Sequence, residues 1–365
     1  MEINTLPSRH DVPAPKIIAW ELTRSCNLSC AHCRASANNV SYPNELTTAE
    51  CLSLVDQIKA IGNPILILTG GEPLLRPDLC DIGGYATKQG LRVVVGTNGT
   101  LVTPDEARRL ASMSTSRISV SLDFPTPAEQ DAFRGAPGAF QDAIAGVKNA
   151  RAAGLEVQIN STITKNNVKH LPALVELAIE LEAVAFHPFL LVPTGRGKAL
   201  AEAELSPADY EATLKWICQE QGKLGDRLML KPTDAPHYYR IAHQNGMSIS
   251  PGHGAHGLNT VTRGCLAGIG FCFISHVGRV QGCGYLDLEA GNVRQDSFAN
   301  IWRGSPLFND LRDFSLLKGK CGACEYKWLC GGCRARAYEN TGDHLAAEPY
   351  CIYKPKSAKI SGQEV

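Results

Sequence analysis

The chain has 365 residues with 36 basic and 36 acidic side chains, so its formal net charge is zero when histidine is neutral. This balance argues against nucleic acid or an anionic membrane surface as a partner. Hydrophobic residues make up 44% of the chain, yet no segment approaches the roughly 18 uninterrupted apolar residues of a membrane span. Residues 1–16 also lack the apolar run of a signal peptide. We therefore predict a soluble, cytoplasmic protein with one large domain and a smaller one.

In chain order, apolar or alternating runs recur between residues 16 and 200, and stretches with helical periodicity separate them. Two of these runs, ILIL and VVV, are continuously apolar, as in strands buried on both faces of a parallel sheet. Six strand-and-helix units of about 25 to 35 residues each favour an α/β fold, namely a partial (β/α)6 barrel of the TIM type. The six predicted strands are KIIAWELT, PILILTG, LRVVVGT, RISVSLD, EVQINSTIT and VAFHPFLLV.

The first segment between strands carries the signals of a helix. Thr47 is placed to cap the helix and Glu50 to complete a capping box. Gly90 and Gly154 each follow a helix-like stretch and precede a strand, which suits glycine at the end of a helix. An apolar stripe at helical spacing comes after the capping box and comprises Cys51, Leu54, Val55, Ile58 and Ile61.

Polar or metal-binding motifs follow each of the first four predicted strands. In a barrel of parallel strands the functional residues lie at the carboxyl ends of the strands, so all four motifs should meet at one rim. Two asparagines near strand ends, Asn98 and Asn160, are further candidates for that rim. In chain order the motifs are Cys26, Cys30 and Cys33, then GGEP at 70–73, GTNGT at 96–100 and SLD at 121–123.

The distribution of the fourteen cysteines favours metal binding over disulfides. Disulfide-dense frameworks belong to small secreted domains, whereas thiols in reducing compartments are more often metal ligands or catalytic groups. Three thiols lie within residues 26–33 and eight more within 265–351. Cys51, Cys80 and Cys218 stand alone in predicted helices, and we interpret them as small core residues.

The first cysteine group has three thiols at a Cys-x-x-x-Cys-x-x-Cys spacing. Three thiolates do not close a tetrahedral zinc site, and His32 is the only local candidate for a fourth ligand. On a four-iron cluster, however, three thiolates leave one iron open to a substrate or co-substrate. This spacing, followed by a Gly-Gly-Glu-Pro turn after the second strand, resembles the radical S-adenosylmethionine (SAM) superfamily. The resemblance implies a 4Fe-4S cluster on Cys26, Cys30 and Cys33 whose open iron chelates SAM.

The resemblance also implies a set of SAM-binding residues. His32 occupies the position where the superfamily places a ring beside the adenine, and glycines in the 70–73 turn permit close backbone approach to the methionyl amino group. Ser121 and Asp123 match the ribose-binding end of the fourth strand. The GTNGT sequence also fits an ordinary turn. The complete implied set is His32, Gly70, Gly71, Glu72, Pro73, Asn98, Ser121, Asp123 and Asn160.

The C-terminal cysteines resemble the SPASM extension of radical SAM proteins, a small module that holds auxiliary four-iron clusters. Its usual pattern has three residues between the fifth and sixth cysteines, whereas CGGC at 330–333 has two. The resemblance implies two auxiliary clusters: the first on Cys265, Cys272, Cys283 and Cys333, and the second on Cys321, Cys324, Cys330 and Cys351. A single cluster with spare thiols, or a structural zinc at Cys321, Cys324, Cys330 and Cys333, fits the spacing as well.

These patterns divide the chain into five parts. We predict a flexible N-terminal segment at 1–14, the radical SAM partial barrel at 15–230 and a linker that contributes to the substrate region at 231–259. The small cysteine-rich domain with the auxiliary clusters follows at 260–353. Residues 354–365 are predicted to be a disordered tail.

Several longer stretches resemble the radical SAM enzymes of tetrapyrrole biosynthesis. The pattern of this group leads us to expect a cysteine where the chain has Asp234. The resemblance implies oxidative decarboxylation of two propionates of iron-coproporphyrin III to vinyl groups, giving heme b, with a flavodoxin or ferredoxin as electron donor. The stretches are IIAWELTRSCNLSCAHCRASA, ELTTAE, LTGGEPLLRPDL, LLVPTGRGK, APHYYR and CGGCRARAYENTGDHLAAEPYCIY.

Candidate substrate residues lie after the sixth strand and between residues 231 and 256. Arginine suits bidentate contact with a propionate, and histidine and tyrosine can contact iron or a carboxylate. The alternative is that the histidines and tyrosines lie on a surface helix and the basic residues on a solvated loop, without any contact to a substrate. The candidates are Arg196, Lys198, His237, Tyr238, Tyr239 and Arg240, with His243, His253 and His256 close by.

Three alternative functions fit parts of the sequence. Related enzymes of the group act on didecarboxysiroheme or on the heme d1 precursor. A SPASM peptide maturase is a second alternative, although the 15 polar residues before the first strand leave no room for a leader-binding domain. An iron-sulfur electron carrier is a third, but a carrier would need neither an open iron nor the GGEP turn.

Overall fold

The computed structural model describes residues 12–247 and 263–356. Most of the predicted N-terminal segment and tail, and His253 and His256, therefore lie outside the described residues. The described end of the N-terminal segment packs on the molecule, because Val12 is buried and the Pro13 carbonyl accepts a 2.9 Å hydrogen bond from Trp302 Nε1. Within the described ranges no helix is long and apolar enough to cross a membrane.

The described residues form one ten-stranded sheet in the order β10-β9-β8-β1-β2-β3-β4-β5-β6-β7. Strands β1 to β8 pair with one another in parallel, whereas β9 pairs antiparallel with both β8 and β10. The terminal strands β10 and β7 do not pair with each other, so the barrel is open. The strands are β1 (Ile17–Thr23), β2 (Ile65–Gly70), β3 (Arg92–Thr97), β4 (Arg117–Ser121), β5 (Glu156–Ile163), β6 (Ala185–Leu190), β7 (Met229–Leu230), β8 (Phe271–Ile274), β9 (Arg279–Cys283) and β10 (Leu286–Asn292).

The predicted α/β fold is confirmed, and strands β1 to β6 coincide with the six predicted strands. Helices separate them along the chain and cover the sheet, so the strand interiors are buried. The helices are α1 (Thr48–Ile61), α2 (Leu79–Lys88), α3 (Pro104–Ser112), α4 (Pro127–Arg134), α5 (Ala139–Ala152), α6 (Leu171–Glu180), α7 (Pro207–Leu224), α8 (His237–Gln244), α9 (Phe298–Gly304), α10 (Pro306–Arg312), α11 (Gly319–Gly322) and α12 (Arg334–Thr341).

The predicted helix ends are also confirmed. The Thr47 hydroxyl accepts from Glu50 N at 3.3 Å, and the Glu50 carboxylate accepts from Thr47 N at 2.8 Å, which completes the capping box. Gly90 and Gly154 follow α2 and α5 with φ of +80° and +81°. Both lie in the left-handed region that glycine adopts without a steric cost.

The C-terminal module continues the barrel sheet. Strand β8 pairs in parallel with β1, Ile17 facing Phe271, and β9 and β10 extend the sheet from there. The predicted boundary near residue 260 therefore divides the sequence, but one continuous sheet runs across it. One consequence is that the end of β1, which leads into the first cysteine group, is flanked by β2 on one side and by the module on the other.

A buried carboxylate fixes this junction. Glu21, on β1, is fully buried and contacts Arg24 at 2.9 Å, Arg34 at 2.8 Å and His276 Nδ1 at 2.8 Å. Burial alone would raise the pKa of Glu21, but Arg34, the His276 hydrogen bond and Arg24 together lower it to about 2. Glu21 thus links β1, the first cysteine loop and the C-terminal module.

A buried guanidinium makes the second link between barrel and module. Arg336 on α12 is fully buried and donates to the carbonyls of Leu190 at 3.2 Å, Leu191 at 2.9 Å and Asp234 at 3.1 Å. Its Nε lies 3.4 Å from Glu204 Oε1, which balances its charge. The guanidinium therefore holds the module against the carboxyl end of β6.

We predict that Arg336→Ala destabilises the protein by about 3 to 5 kcal/mol, because it leaves buried carboxylates and carbonyls without their partner. Denaturant unfolding of the iron-loaded protein under anaerobic conditions measures this loss. Lys198→Ala is the matched control, since Lys198 also joins barrel to module through Glu339 at 3.3 Å but is 66% exposed. Its cost should stay below about 1 kcal/mol. Equal effects of the two variants would contradict the role of Arg336.

Candidate functional site

The three thiols of the first cysteine group lie in one pocket at the carboxyl ends of the parallel strands. The loop that carries them leaves β1 and is held by the Cys26 N to Asn38 O hydrogen bond at 3.0 Å. Strands β2 to β6 contribute the other walls, as the rim prediction requires. Of the predicted site residues, those that line this pocket are Cys26, Cys30, Cys33, His32, Gly70, Gly71, Asn98, Ser121 and Asn160.

Each thiol has an N–H donor within reach. Leu28 N lies 3.4 Å from Cys26 Sγ, Ala37 N lies 3.3 Å from Cys33 Sγ, and Arg134 Nη1 lies 3.8 Å from Cys30 Sγ. Such donors stabilise sulfur that carries negative charge. Burial raises the pKa of Cys26 to about 12 and also raises that of Cys30, so these thiols deprotonate when a metal takes the place of the proton.

This donor set fits an iron-sulfur cluster with one open iron. Three thiols and no fourth thiol line the pocket, and polar groups of four strands face the free side. Across residues 12–247 and 263–356, no three His, Cys, Asp or Glu side chains are gathered tightly enough to hold a single metal ion.

The Gly-Gly-Glu-Pro turn brings the β2 end against the cysteine loop. Gly71 N donates to Thr23 O at 2.8 Å, and a Cβ on Gly71 would lie 2.4 Å from Ser25 O. Glu72 is fully buried behind the pocket, where its carboxylate accepts from Thr97 Oγ1 and Asn98 N, both at 2.8 Å. The two glycines therefore face the pocket, whereas Glu72 and Pro73 support the turn from behind.

His32 presents a neutral ring to the pocket. It stacks on Phe133 with ring centroids 4.4 Å apart and an interplanar angle of 16°. Burial lowers the pKa of His32 to about 4, so the imidazole is uncharged at neutral pH. An uncharged, fixed ring suits the sequence-based assignment of His32 as a stacking partner.

The predicted ribose-binding pair separates in the structure. Ser121 lines the pocket, but Asp123 points away from it and is fully buried. Asp123 Oδ1 accepts from Thr162 N at 2.7 Å and Oδ2 pairs with Arg134 at 2.5 Å. The assignment of Asp123 as a direct ligand is therefore corrected: it orients Arg134, because an unpaired carboxylate is costly at this depth.

Asn98 lines the pocket, but its amide is largely used within the loop. Asn98 Nδ2 donates to Asn27 Oδ1 at 2.8 Å, and Thr100 N and Oγ1 both donate to Asn98 Oδ1. This agrees with the simpler interpretation of GTNGT as a structured turn. The turn steadies the residues between Cys26 and Cys30.

Sequence reasoning missed Arg134, which reaches both Asp123 and Cys30. It ends α4, and Gly135 follows it with φ +70°, where a Cβ would lie 2.8 Å from Ser29 O. Gly135 was the sequence feature that could have indicated Arg134, because a glycine at the end of α4 allows the chain to approach the cysteine loop closely. The pocket also includes Tyr285 of the C-terminal module, which nothing in the sequence marked.

Two predicted substrate residues have other partners. Arg196 Nε donates to Cys30 O at 2.9 Å and its Nη1 donates to Ala37 O at 2.6 Å. Arg196 therefore holds the cysteine loop and does not line the pocket. Lys198 is exposed and pairs with Glu339. Their assignment to the substrate stays a prediction, and in the structure both side chains contact other parts of the chain.

The α8 candidates also lie away from the pocket. Tyr238 and Tyr239 are buried in the core, with 7% and 6% exposure, so they pack and do not bind. His237 and Arg240 line a second cavity, and Arg240 pairs with Glu211. The helix therefore serves the C-terminal module and not the substrate pocket.

The four thiols of the predicted second auxiliary group all line the second cavity. Arg240 and Lys320 place positive charge beside its thiols, which suits an anionic cluster. Cys333 does not line this cavity, so the zinc alternative with Cys333 as fourth ligand is not assembled. The thiols that line it are Cys321, Cys324, Cys330 and Cys351.

The first auxiliary group is only partly assembled as predicted. Burial raises the pKa of Cys283 and of Cys333, and the Cys265 thiol adds to both shifts. Cys265 N donates to Cys330 O at 3.0 Å, and an added Cβ on Gly282, next to Cys283, would lie 3.6 Å from the Ala267 Cβ, so the three segments are neighbours. Cys272 is different: burial raises its pKa, and the one charged group that acts on it is Arg312. The predicted inclusion of Cys272 in this group is not supported by its position.

Comparison with known proteins agrees with this geometry. The chain matches the Radical SAM superfamily over residues 20–178 and the SPASM iron-sulfur cluster-binding domain over residues 265–333. It is 49% identical to the "AdoMet-dependent heme synthase" of Nitratidesulfovibrio vulgaris, covering 94% of each chain. It is 50% identical to the protein of the same name from Methanosarcina barkeri, covering 94% of this chain and 97% of that one.

Solved structures support the fold. The chain resembles Streptococcus suis SuiB bound to S-adenosylmethionine with a TM-score of 0.75 at 18% identity, covering 94% of this chain and 79% of that one. It resembles anSMEcpe with bound AdoMet and a peptide with a TM-score of 0.66 at 19% identity, covering 92% and 93%. The matched domains and the relatives of nearly equal length lead to one conclusion: the chain belongs to the radical SAM superfamily, as an enzyme with a C-terminal SPASM iron-sulfur domain.

Proposed function

We propose that this enzyme oxidatively decarboxylates two propionates of iron-coproporphyrin III to vinyl groups, giving heme b. The observation that carries the proposal is the 49% and 50% identity to proteins named AdoMet-dependent heme synthase over 94% of the chain. A match of that extent includes the pocket walls, the module and the helices between them, and not only the shared cysteine motif.

The proposed chemistry balances for each propionate. Cys26, Cys30 and Cys33 would hold a four-iron cluster with SAM on its open iron, and in the reduced state this group would supply a 5′-deoxyadenosyl radical able to remove a hydrogen atom from an unreactive carbon. Loss of that hydrogen atom, of carbon dioxide and of one electron converts the propionate to a vinyl group. We assign the electron to the auxiliary iron-sulfur clusters of the module as one-electron acceptors, and the reducing electrons to a flavodoxin or ferredoxin.

The chain's own residues would hold and shield the reactants. Gly70 and Gly71 line the pocket where the methionyl end of SAM would bind, and their lack of a Cβ lets the turn pack on the backbone of Thr23 and Ser25. His32 offers a ring face to the adenine. The end of β6 adds an apolar wall of Phe189, Leu190, Leu191 and Val192. An apolar wall keeps water from a carbon radical, which is a large part of what such a protein supplies.

Other reactions of the superfamily are less well supported. The chain is 31% identical to "Fe-coproporphyrin III synthase", 33% to "Pre-heme d1 synthase" and 33% to "Mycofactocin maturase MftC". These values are lower than those for the heme synthases over similar coverage. An electron-carrier role would not require the open side of the first thiol group.

We expect the reconstituted enzyme to convert iron-coproporphyrin III under anaerobic conditions with SAM and a strong reductant. Mass spectrometry should show two successive losses of carbon dioxide plus two hydrogens, each matched by 5′-deoxyadenosine. Replacing Cys26, Cys30 and Cys33 by alanine should abolish 5′-deoxyadenosine formation because the SAM-binding cluster is lost, whereas Cys80→Ala, at an isolated thiol, should leave it unchanged.

These outcomes test the substrate assignment and the assignment of the three cysteines separately. If 5′-deoxyadenosine forms while the porphyrin is untouched, the proposed substrate is wrong, and didecarboxysiroheme, the heme d1 precursor and then peptides are the next substrates to test. Unchanged SAM cleavage in the triple alanine variant would contradict the assignment of the three cysteines.

We expect Arg134 to raise the midpoint potential of the cluster on the first three cysteines. Its guanidinium lies 3.8 Å from Cys30 Sγ and favours the more negative, reduced state. We predict that Arg134→Gln lowers the midpoint potential by on the order of 60 mV, a tenfold change in a one-electron equilibrium. Arg134→Lys, which keeps the charge, should recover part of the shift.

An EPR-monitored redox titration measures this potential, with the signal that changes on SAM addition identifying the first cluster. The exposed arginine variant Arg151→Gln serves as the control. A shift of the same size in Arg151→Gln, or none in Arg134→Gln, would count against a direct effect of Arg134.

A further inference from the structure

The first auxiliary group has three neighbouring thiols and lacks a fourth. Cys265 N donates to Cys330 O at 3.0 Å, three residues before Cys333, and an added Cβ on Gly282, next to Cys283, would lie 3.6 Å from the Ala267 Cβ. These backbone contacts bring Cys265, Cys283 and Cys333 together. A four-iron cluster with one ligand on each iron requires four ligands. The described residues must therefore supply one more donor to this group, or one iron stays open.

Cys272 is poorly placed to be that donor. It lies on β8, where successive side chains point to opposite faces of the sheet. Its neighbour Phe273 lies under the Arg34 guanidinium, 4.4 Å from the ring centroid, on the side where Arg34 lines the SAM pocket. Cys272 therefore faces the opposite side, where it is fully buried near Arg312.

Asp234 lies beside the three thiols instead. Arg336 bridges Asp234 and Cys333, because its Nη1 donates to Asp234 O at 3.1 Å and its backbone N lies 3.5 Å from Cys333 Sγ. On the other side, an added Cβ on Gly264, next to Cys265, would lie 2.8 Å from the Cβ of Pro236, two residues after Asp234. Asp234 Oδ2 is sealed from solvent and has no hydrogen-bond partner in the described part of the chain. A buried carboxylate oxygen without a partner is costly, and a metal ion is one of the few partners that offsets the cost.

The backbone holds Asp234 in a strained conformation that fixes the direction of its side chain. Its φ is +57°, which aspartate adopts more readily than most residues but not freely. The carbonyl accepts from Tyr210 OH at 2.9 Å and from Arg336 Nη1 at 3.1 Å. Arg336 thus binds the backbone of Asp234 and leaves the carboxylate available. Strain maintained by several contacts is typical of functional positions.

We propose that the Asp234 carboxylate is the fourth ligand of the first auxiliary cluster, which Cys265, Cys283 and Cys333 hold through the other three irons. The proposal rests on the iron-sulfur domain and not on the tetrapyrrole reaction, so it is tested without any substrate. An oxygen-ligated iron binds its ligand less covalently than a thiolate-ligated one, which makes that iron the easiest of the four to remove.

The test uses the full chain carrying Cys26→Ala, Cys30→Ala and Cys33→Ala, so that only auxiliary clusters form. Three variants are made in this parent: Asp234→Asn, Asp234→Cys and, as the control, Cys272→Ala. Asparagine tolerates the same backbone conformation as aspartate. Each protein is reconstituted anaerobically, and iron content, Mössbauer spectra and EPR spectra are recorded. The parent should hold about eight irons in two four-iron clusters.

We expect Asp234→Asn to lose one iron on mild oxidation and to show the EPR signal of a three-iron cluster. Asp234→Cys should retain all four irons against the same treatment, with a lower midpoint potential because thiolate donates more electron density. Cys272→Ala should match the parent in iron content and spectra.

Two results would overturn the proposal. One is loss of the cluster in Cys272→Ala with Asp234→Asn unaffected, which would restore Cys272 as the ligand. The other is identical spectra for the parent, Asp234→Asn and Asp234→Cys, which would show that no side chain at position 234 binds the iron. Circular dichroism of each variant separates these results from a failure to fold, and Asp234→Cys rescues the cluster only when position 234 is a ligand position.

Discussion

The arrangement of both halves of this protein depends on the buried Arg336 guanidinium. A charge at that depth is tolerated only because Glu204 lies 3.4 Å away and three carbonyl groups accept from it. Those carbonyls belong to the end of β6 and to Asp234, while Arg336 itself lies in the first turn of α12, where its backbone N–H donates to the thiol of the N-cap residue Cys333. One side chain thereby fixes the pocket wall, the strained aspartate and an auxiliary thiol relative to one another.

The buried thiols impose the complementary constraint. Burial raises the pKa of Cys26 and Cys30 and so favours their neutral thiols, to which Leu28 N and Arg134 Nη1 are the neighbouring donors. With iron bound, the same donors face negatively charged sulfur and become strongly favourable. The chain around the first site is thus already shaped for a cluster, and metal binding supplies folding free energy to the cysteine loop and to the module.

The strands and the rim were predictable from sequence because they depend on local periodicity and on motifs at strand ends. The predictions for single residues depend instead on which way one side chain points. Asp123 follows Ser121 by two residues yet turns behind the pocket toward Arg134, and Arg196 turns to the carbonyls of the cysteine loop. Cys272 shows the same limit: it lies outside the seven-cysteine core pattern and was assigned to the first group as the eighth thiol, whereas β8 directs it to the other face of the sheet. Partners distant in sequence decide each of these orientations, and no local pattern carries that information.

The pocket of the first cysteine group is lined in part by the C-terminal module, which bears on the proposed electron flow. Tyr285 lines the first pocket, and Cys283, two residues earlier, belongs to the first auxiliary group. Arg34 links them further, since it lines the pocket and donates to Gly284 O at 3.3 Å. If Asp234 ligates the auxiliary cluster, a short covalent and hydrogen-bonded path joins the site where the substrate radical forms to a cluster able to accept its electron. The oxygen ligand would then raise the reduction potential of the auxiliary cluster above that of a cluster with four thiolates. A higher potential favours transfer of the electron from the substrate radical to the cluster.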